Sequence, residues 1–185
     1  MRVPRSFKVI VRGKKPDNVT AKDFMLQILR HPYVKNGDAI GQIIEYAGEA
    51  VEALSVDERA TMTNMAAEVG AFTGIIAPDR KTVDYLVAQR GLSRGEAERL
   101  CAGLFSDPDA EYVKVIEIDT TELKPMIALP GDPGNGLFIE ELGAPVRIDV
   151  AYAGSCTAGK KADMDMYARV FREGLGRGRK VAAGV

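Results

Sequence analysis

What this chain has little of narrows the field first. A single histidine, His31, among 185 residues rules out an ordinary histidine-rich metal site. Two cysteines, Cys101 and Cys156, lie far apart in different settings, which gives little support for a disulfide and fits a reducing, cytoplasmic location. No apolar run approaches the roughly 20 residues that a bilayer span needs. The first residues, Met1-Arg-Val-Pro-Arg-Ser6, lack the apolar centre of a secretory signal. A net charge of −1 provides no general attraction to nucleic acid or membrane. The most basic stretch, 172–180, reads as a solvated helix end and not as a nucleic-acid contact. Internal repeats and low-complexity segments are absent. What remains is 46% hydrophobic and 28% charged, in a chain long enough for one full core and part of another.

Strand and helix signals alternate along it. Phe7–Val11 is a β-rich run, and Thr20 caps a helix over Ala21–Arg30, with Asp23 placed as a relative of the capping box. His31-Pro32 ends that helix. A second strand is expected over Ala39–Tyr46, closed by Gly48. Ser55-Val-Asp-Glu58 is a full capping box that opens a helix over Val56–Val69, with Gly70 as its stop. Phe72–Ile76 reads as a strand, Thr82–Gln89 and Ser93–Leu104 as helices, and Tyr112–Ile118 as a further strand. Pro130–Gly136 is expected as a linker, since it can hold neither a helix nor a central strand. Beyond it come a strand over Val146–Ala153, a polar turn to Lys161, and a helix over Ala162–Glu173 stopped by Gly174. Val181–Val185 reads as a strand with nothing to follow it, which suggests truncation. The alternation predicts an α/β architecture with helices on the faces of a sheet.

Three residues stand out chemically. Asn64 and Glu68, four apart, share a face of the helix expected over 56–69. A solvated polar stripe is the plain alternative. Small or apolar neighbours (Met62, Ala66, Ala67, Gly70, Ala71) point instead to a closely packed helix, where an unpartnered carboxylate is costly. Cys156 stands between a strand and a helix among Gly154, Ser155, Thr157 and Gly159, where backbone amides favour a thiolate or an anion. It can be inert, a nucleophile, or one ligand of a metal centre; the lack of a following histidine weighs against the nucleophile. Cys101 reads as a small core residue late in an amphipathic helix, and His31 as structural.

An ordered series of motifs then resembles one family. Val19-Thr-Ala-Lys-Asp23, Gly41–Gly48, Leu54-Ser55 with Glu58-Arg59, Thr61–Ala71, and Ala77-Pro78-Asp79 with Tyr85-Leu86 come first. Val115–Asp119 with Glu122–Pro125, and finally Gly154-Ser-Cys-Thr157, complete it. In order and spacing these resemble the aconitase and isopropylmalate dehydratase (isomerase) large-subunit superfamily. The resemblance implies a three-layer α/β/α domain of the aconitase iron–sulfur type over residues 1–130, a linker over 131–145, and over 146–185 the truncated start of a second, similar domain. It implies a hydro-lyase that dehydrates and rehydrates a hydroxy di- or tricarboxylic acid, of aconitate hydratase or 3-isopropylmalate dehydratase type. Cys156 would be one of three thiolates on a [4Fe–4S] cluster, Glu68 the carboxylate near its open iron, and Asn64 the amide beside it. Ala158 stands where the family motif usually has asparagine. The other two cluster cysteines, an N-terminal domain, and a C-terminal domain or small subunit lie outside this sequence. The isolated chain is therefore expected to be inactive, with no cluster bound. The rival expectations are a free-standing, non-catalytic binding or scaffold module, and a hydrolase using Cys156.

Overall fold

Alternating apolar and polar residues in Ser6–Arg12 form the first strand, β1, of the computed structural model, which describes residues 3–179. Phe7, Val9 and Val11 point to one side of it and are fully buried. The strand β2 (Ile43–Ala47) runs parallel beside β1, β3 (Thr73–Ile76) lies outside β2, and β4 (Val115–Asp119) takes the other side of β1. The sheet order is therefore β3-β2-β1-β4, every pair parallel. Parallel neighbours need long crossovers, and each one here is helical. The first carries α1 (Ala21–Leu29) and α2 (Pro32–Lys35), and the second α3 (Glu49–Ala53) and α4 (Val56–Asn64). The third carries α5 (Arg80–Arg90) and α6 (Arg94–Cys101). This is the α/β class that the sequence predicts, a parallel sheet flanked by helices.

The helix starts follow their caps. The Thr20 backbone N–H and hydroxyl both donate to Asp23 Oδ2 at 2.7 Å, and Ser55 and Glu58 exchange the two bonds of a full capping box. Apolar faces of the sheet, α1 and α4 then meet in one core that includes Phe7, Phe24, Met25, Ile28, Ile44, Tyr46 and Met62. Each such side chain contributes about 1.5–3 kcal/mol of burial. Gly48 is required where β2 turns into α3: its φ is +102°, and a Cβ there would lie 2.3 Å from the Val11 carbonyl oxygen.

Several boundaries differ from expectation. Residues 37–42 turn where a strand over Ala39–Tyr46 is predicted, because Gly37 and Gly41 both take positive φ, and β2 begins only at Ile43. Of the expected linker residues, 130–135 lie in the loop of a hairpin, β5 (Met126–Ala128) with β6 (Gly136–Phe138), and Gly136 already pairs in its second strand. Asp23 explains why: its second oxygen accepts the Met126 N–H at 2.7 Å, which anchors the hairpin against α1. Cys101 is half-buried on α6, not a core residue.

The described residues fall into two compact units that divide between Pro145 and Val146. In the second unit the expected strand over Val146–Ala153 is irregular. Val146, Ile148, Val150 and Tyr152 are exposed, and among the described residues no strand lies alongside to complete a ladder. The helix α7 (Lys161–Gly176) runs through Gly174, where a stop is expected. The residue that takes the left-handed conformation is Gly178, with Gly178 N–H on Leu175 O and Arg179 N–H on Gly174 O, both at 2.9 Å. The strand expected over Val181–Val185 lies outside the described residues. Among the described residues no helix is long and apolar enough to cross a membrane.

Candidate active site

The helix α4 is held at both ends before it presents anything. Near its start the Arg59 guanidinium donates to Asp79 Oδ2 at 2.5 Å and to the Glu52 carbonyl at 2.8 Å. Asp79 in turn caps α5 by accepting the Thr82 N–H at 3.2 Å, so one carboxylate joins two helices. The Arg59 guanidinium beside it holds the Asp79 carboxyl below the usual carboxylate range.

At its other end α4 stops earlier than predicted. Met65 N–H still reaches Thr61 O at 3.1 Å, but Ala66, Ala67 and Gly70 donate to residues only three back. The chain closes with Gly70 at φ +77° and Ala71 N–H on Ala66 O at 3.1 Å, so Gly70 does act as the stop. Met65, Ala66 and Val69 are drawn into the core, whereas Asn64, Ala67 and Glu68 are exposed. Two expectations are thereby corrected. Asn64 is the last α4 residue and Glu68 sits in the tightened turn beyond it, so they do not stack on a continuous helix face. Glu68 is also exposed and not enclosed by its neighbours.

Beneath this end lies Tyr46, a member of the Gly41–Gly48 motif to which the sequence assigns no chemical role of its own. It is 1% exposed, and its hydroxyl donates to the Met62 carbonyl at 3.3 Å. Burial, and then the nearby Glu68 charge, push its phenol well above the usual range, so the hydroxyl is a donor at neutral pH. Apart from that motif, the sequence signal for Tyr46 is a polar-tipped aromatic in a run otherwise suited to a buried strand. His31 is structural, as read from the sequence: its Nδ1 accepts the Tyr33 N–H at 3.2 Å and caps α2. Burial, with Lys114 nearby, pushes its pKa down.

Cys156 belongs to the second unit and is exposed. Its turn is built with some strain: Gly154 has φ +128°, and Ser155, at φ +88°, is the one non-glycine with positive φ among the described residues. Gly159 closes it so tightly that a Cβ there would lie 2.6 Å from Ser155 O. The head of α7 braces the loop. Lys160 Nζ donates to Thr157 O at 2.6 Å and pairs with Asp163 at 2.9 Å, while Tyr167 OH donates to Ala158 O at 3.2 Å. Cys156 Sγ lies 3.9 Å from Thr157 Oγ1.

Among the described residues no group of three or more His, Cys, Asp or Glu could hold a metal ion. Cys101, the other thiol, lies in the first unit. A single exposed thiol does not fit a complete ligand set for a four-iron cluster; it fits one ligand of a shared one.

Comparison with known proteins gives these residues a context. The family model described as the aconitase family (aconitate hydratase) matches residues 1–185. The 3-isopropylmalate dehydratase large subunit 1 of Pyrococcus furiosus is 41% identical over 182 residues, 98% of this chain and 40% of that protein. The large subunits of the same name from Heliobacterium modesticaldum and Aquifex aeolicus are 40% and 39% identical over 92% and 98% of this chain. The chain spans about 40% of the length of the curated relatives it matches.

Proposed function

From the chain's membership of the aconitase family, we propose that it forms part of a hydro-lyase that dehydrates and rehydrates a hydroxy-acid of the isopropylmalate kind. The dehydratase names of its relatives support isopropylmalate over citrate as substrate. The observation that carries the chemistry is the exposed Cys156 on a strained turn braced from α7. A cysteine must be accessible to act as a ligand, and this one is exposed.

In this proposal Cys156 is one of three thiolates of a [4Fe–4S] cluster, with the other two supplied from outside the described residues. When bound, the cluster supplies a Lewis acid for the substrate hydroxyl. Glu68, an exposed carboxylate, accepts a hydrogen bond from that hydroxyl and holds or releases a proton at its oxygen. Asn64, whose amide both donates and accepts, orients the polar end of the acid. Ala158 has no polar side chain for this purpose; its carbonyl is engaged by Tyr167. The first unit is the complete α/β domain, and the second begins the next. Further domains or a small subunit complete the enzyme, in a cytoplasmic setting consistent with two free cysteines.

The test is anaerobic reconstitution of the full-length protein with iron and sulfide, followed by absorption spectra and assays with isopropylmalate and citrate. Turnover of isopropylmalate, with cluster absorption lost in Cys156→Ser, is expected. Absence of a cluster in the intact protein refutes the proposal and favours a non-catalytic module.

A further inference from the structure

We infer that Tyr46 is a positioning residue: its buried hydroxyl replaces a helix hydrogen bond at Met62 and so fixes the segment that presents Asn64 and Glu68. The functional part of this inference rests on the hydro-lyase reading; the structural part does not.

A continuing α-helix would satisfy the Met62 carbonyl with the N–H of Ala66, four residues on. Here Ala66 N–H turns to Thr63 O at 3.4 Å, because the chain tightens after Asn64. Met62 is fully buried, so water does not reach its carbonyl easily. The Tyr46 hydroxyl, 3.3 Å away from β2, supplies the donor. Its ring is closely fitted as well. A Cβ on Gly74 would lie 2.7 Å from Tyr46 Cε2, 3.1 Å from Thr63 Cα and 3.4 Å from Ala66 Cβ. β3 therefore passes the ring, Thr63 of α4 and Ala66 of the turn beyond it with no room for a side chain. Met62, Thr63 and Ala66 bracket Asn64 and lead directly into Glu68. The tyrosine thus ties the end of α4 to the sheet, while Asn64 and Glu68 stay exposed.

Tyr46→Phe keeps the ring and removes only this bond. Hydrogen exchange on the full-length protein should show amides of residues 65–71 exchanging roughly fivefold to tenfold faster in Tyr46→Phe, with β1 and α1 unchanged. Unchanged exchange over 65–71 overturns the inference. Where the wild-type enzyme turns over isopropylmalate, Tyr46→Phe should lower kcat severalfold at constant KM; an unchanged kcat overturns the positioning role. A wild-type enzyme with no dehydratase activity refutes the hydro-lyase reading, while the exchange result still decides the Tyr46 tie. Should the variant fail to fold, the wild-type protein offers an independent check by NMR. A slowly exchanging Tyr46 hydroxyl proton with cross-peaks to the backbone of 62–66 is expected, and a rapidly exchanging one overturns the inference.

Discussion

Asp79 joins α4 to α5 through two separable interactions, and two substitutions tell them apart. Asp79→Asn keeps a good helix cap but removes the charge that faces Arg59. Asp79→Ala removes both. Arg59 is only 5% exposed, so its guanidinium cannot escape to water when its partner is lost. Breaking a fully buried pair in this way costs about 3–5 kcal/mol. The Asp79 side chain is 34% exposed, and Arg59 keeps its bond to Glu52 O, so about 2 kcal/mol is the better figure here. Loss of the cap adds about 1 kcal/mol in the alanine variant. With a urea m-value of about 2 kcal/mol/M, the midpoint of the first unit should fall by about 1 M for Asn and about 1.5 M for Ala. The pH dependence has a definite sign. Arg59 depresses the folded-state pKa of Asp79, so the carboxylate stabilises the fold above its unfolded pKa of about 3.9. That contribution disappears as pH falls through the depressed folded value. The gap between wild type and Asp79→Asn should therefore be full at pH 7 and close on acidification below about pH 4. Midpoints that coincide with wild type at pH 7, or a gap that persists at pH 2, would refute the account.

The remaining predictions concern the backbone and the thiols. Gly48→Ala should destabilise by more than about 3 kcal/mol or prevent folding, because it combines positive φ with a 2.3 Å approach to Val11 O. Gly91→Ala, which has positive φ but nothing within 4 Å, should cost only about 1–2 kcal/mol; equal melting-point losses in the two variants would discount the clash. Mass spectrometry after brief iodoacetamide treatment should find Cys156, which is exposed, alkylated before the half-buried Cys101, and the reverse order would contradict the placement of the turn.

Helix starts could be read from the sequence because a cap is a local chemical event. Ser55 need only reach an amide three residues on, and the Thr20 N–H need only reach Asp23; each marks its helix within a residue. Helix ends were less legible. Gly174 and Gly178 are equally able to take positive φ, and only Gly178 does; likewise α4 yields its α-type bonds at Asn64, although Gly70 closes the turn as expected. The candidate residues Asn64, Glu68 and Cys156 were identified by motif, but the exposure of Glu68 was not: of its small or apolar neighbours Met62 and Ala66 are buried, while Ala67 and Gly70 are exposed with it.

The local pattern alone determined the alternation of strands and helices through the first unit, the starts of the helices capped by Thr20 and Ser55, and the glycine-rich turn that carries the thiol. Tertiary structure decided what depends on a distant partner. Asp23 and α1 made a hairpin of a stretch that reads as a linker, and Val146–Ala153 lacks a ladder because a strand needs a neighbour and not only alternation. Tyr46 became the donor for Met62 because β2 and α4 meet there, 16 residues apart in sequence. Caps and turns are satisfied within a few residues, whereas ladders, buried ion pairs and orphan carbonyls are satisfied only by what the fold brings alongside.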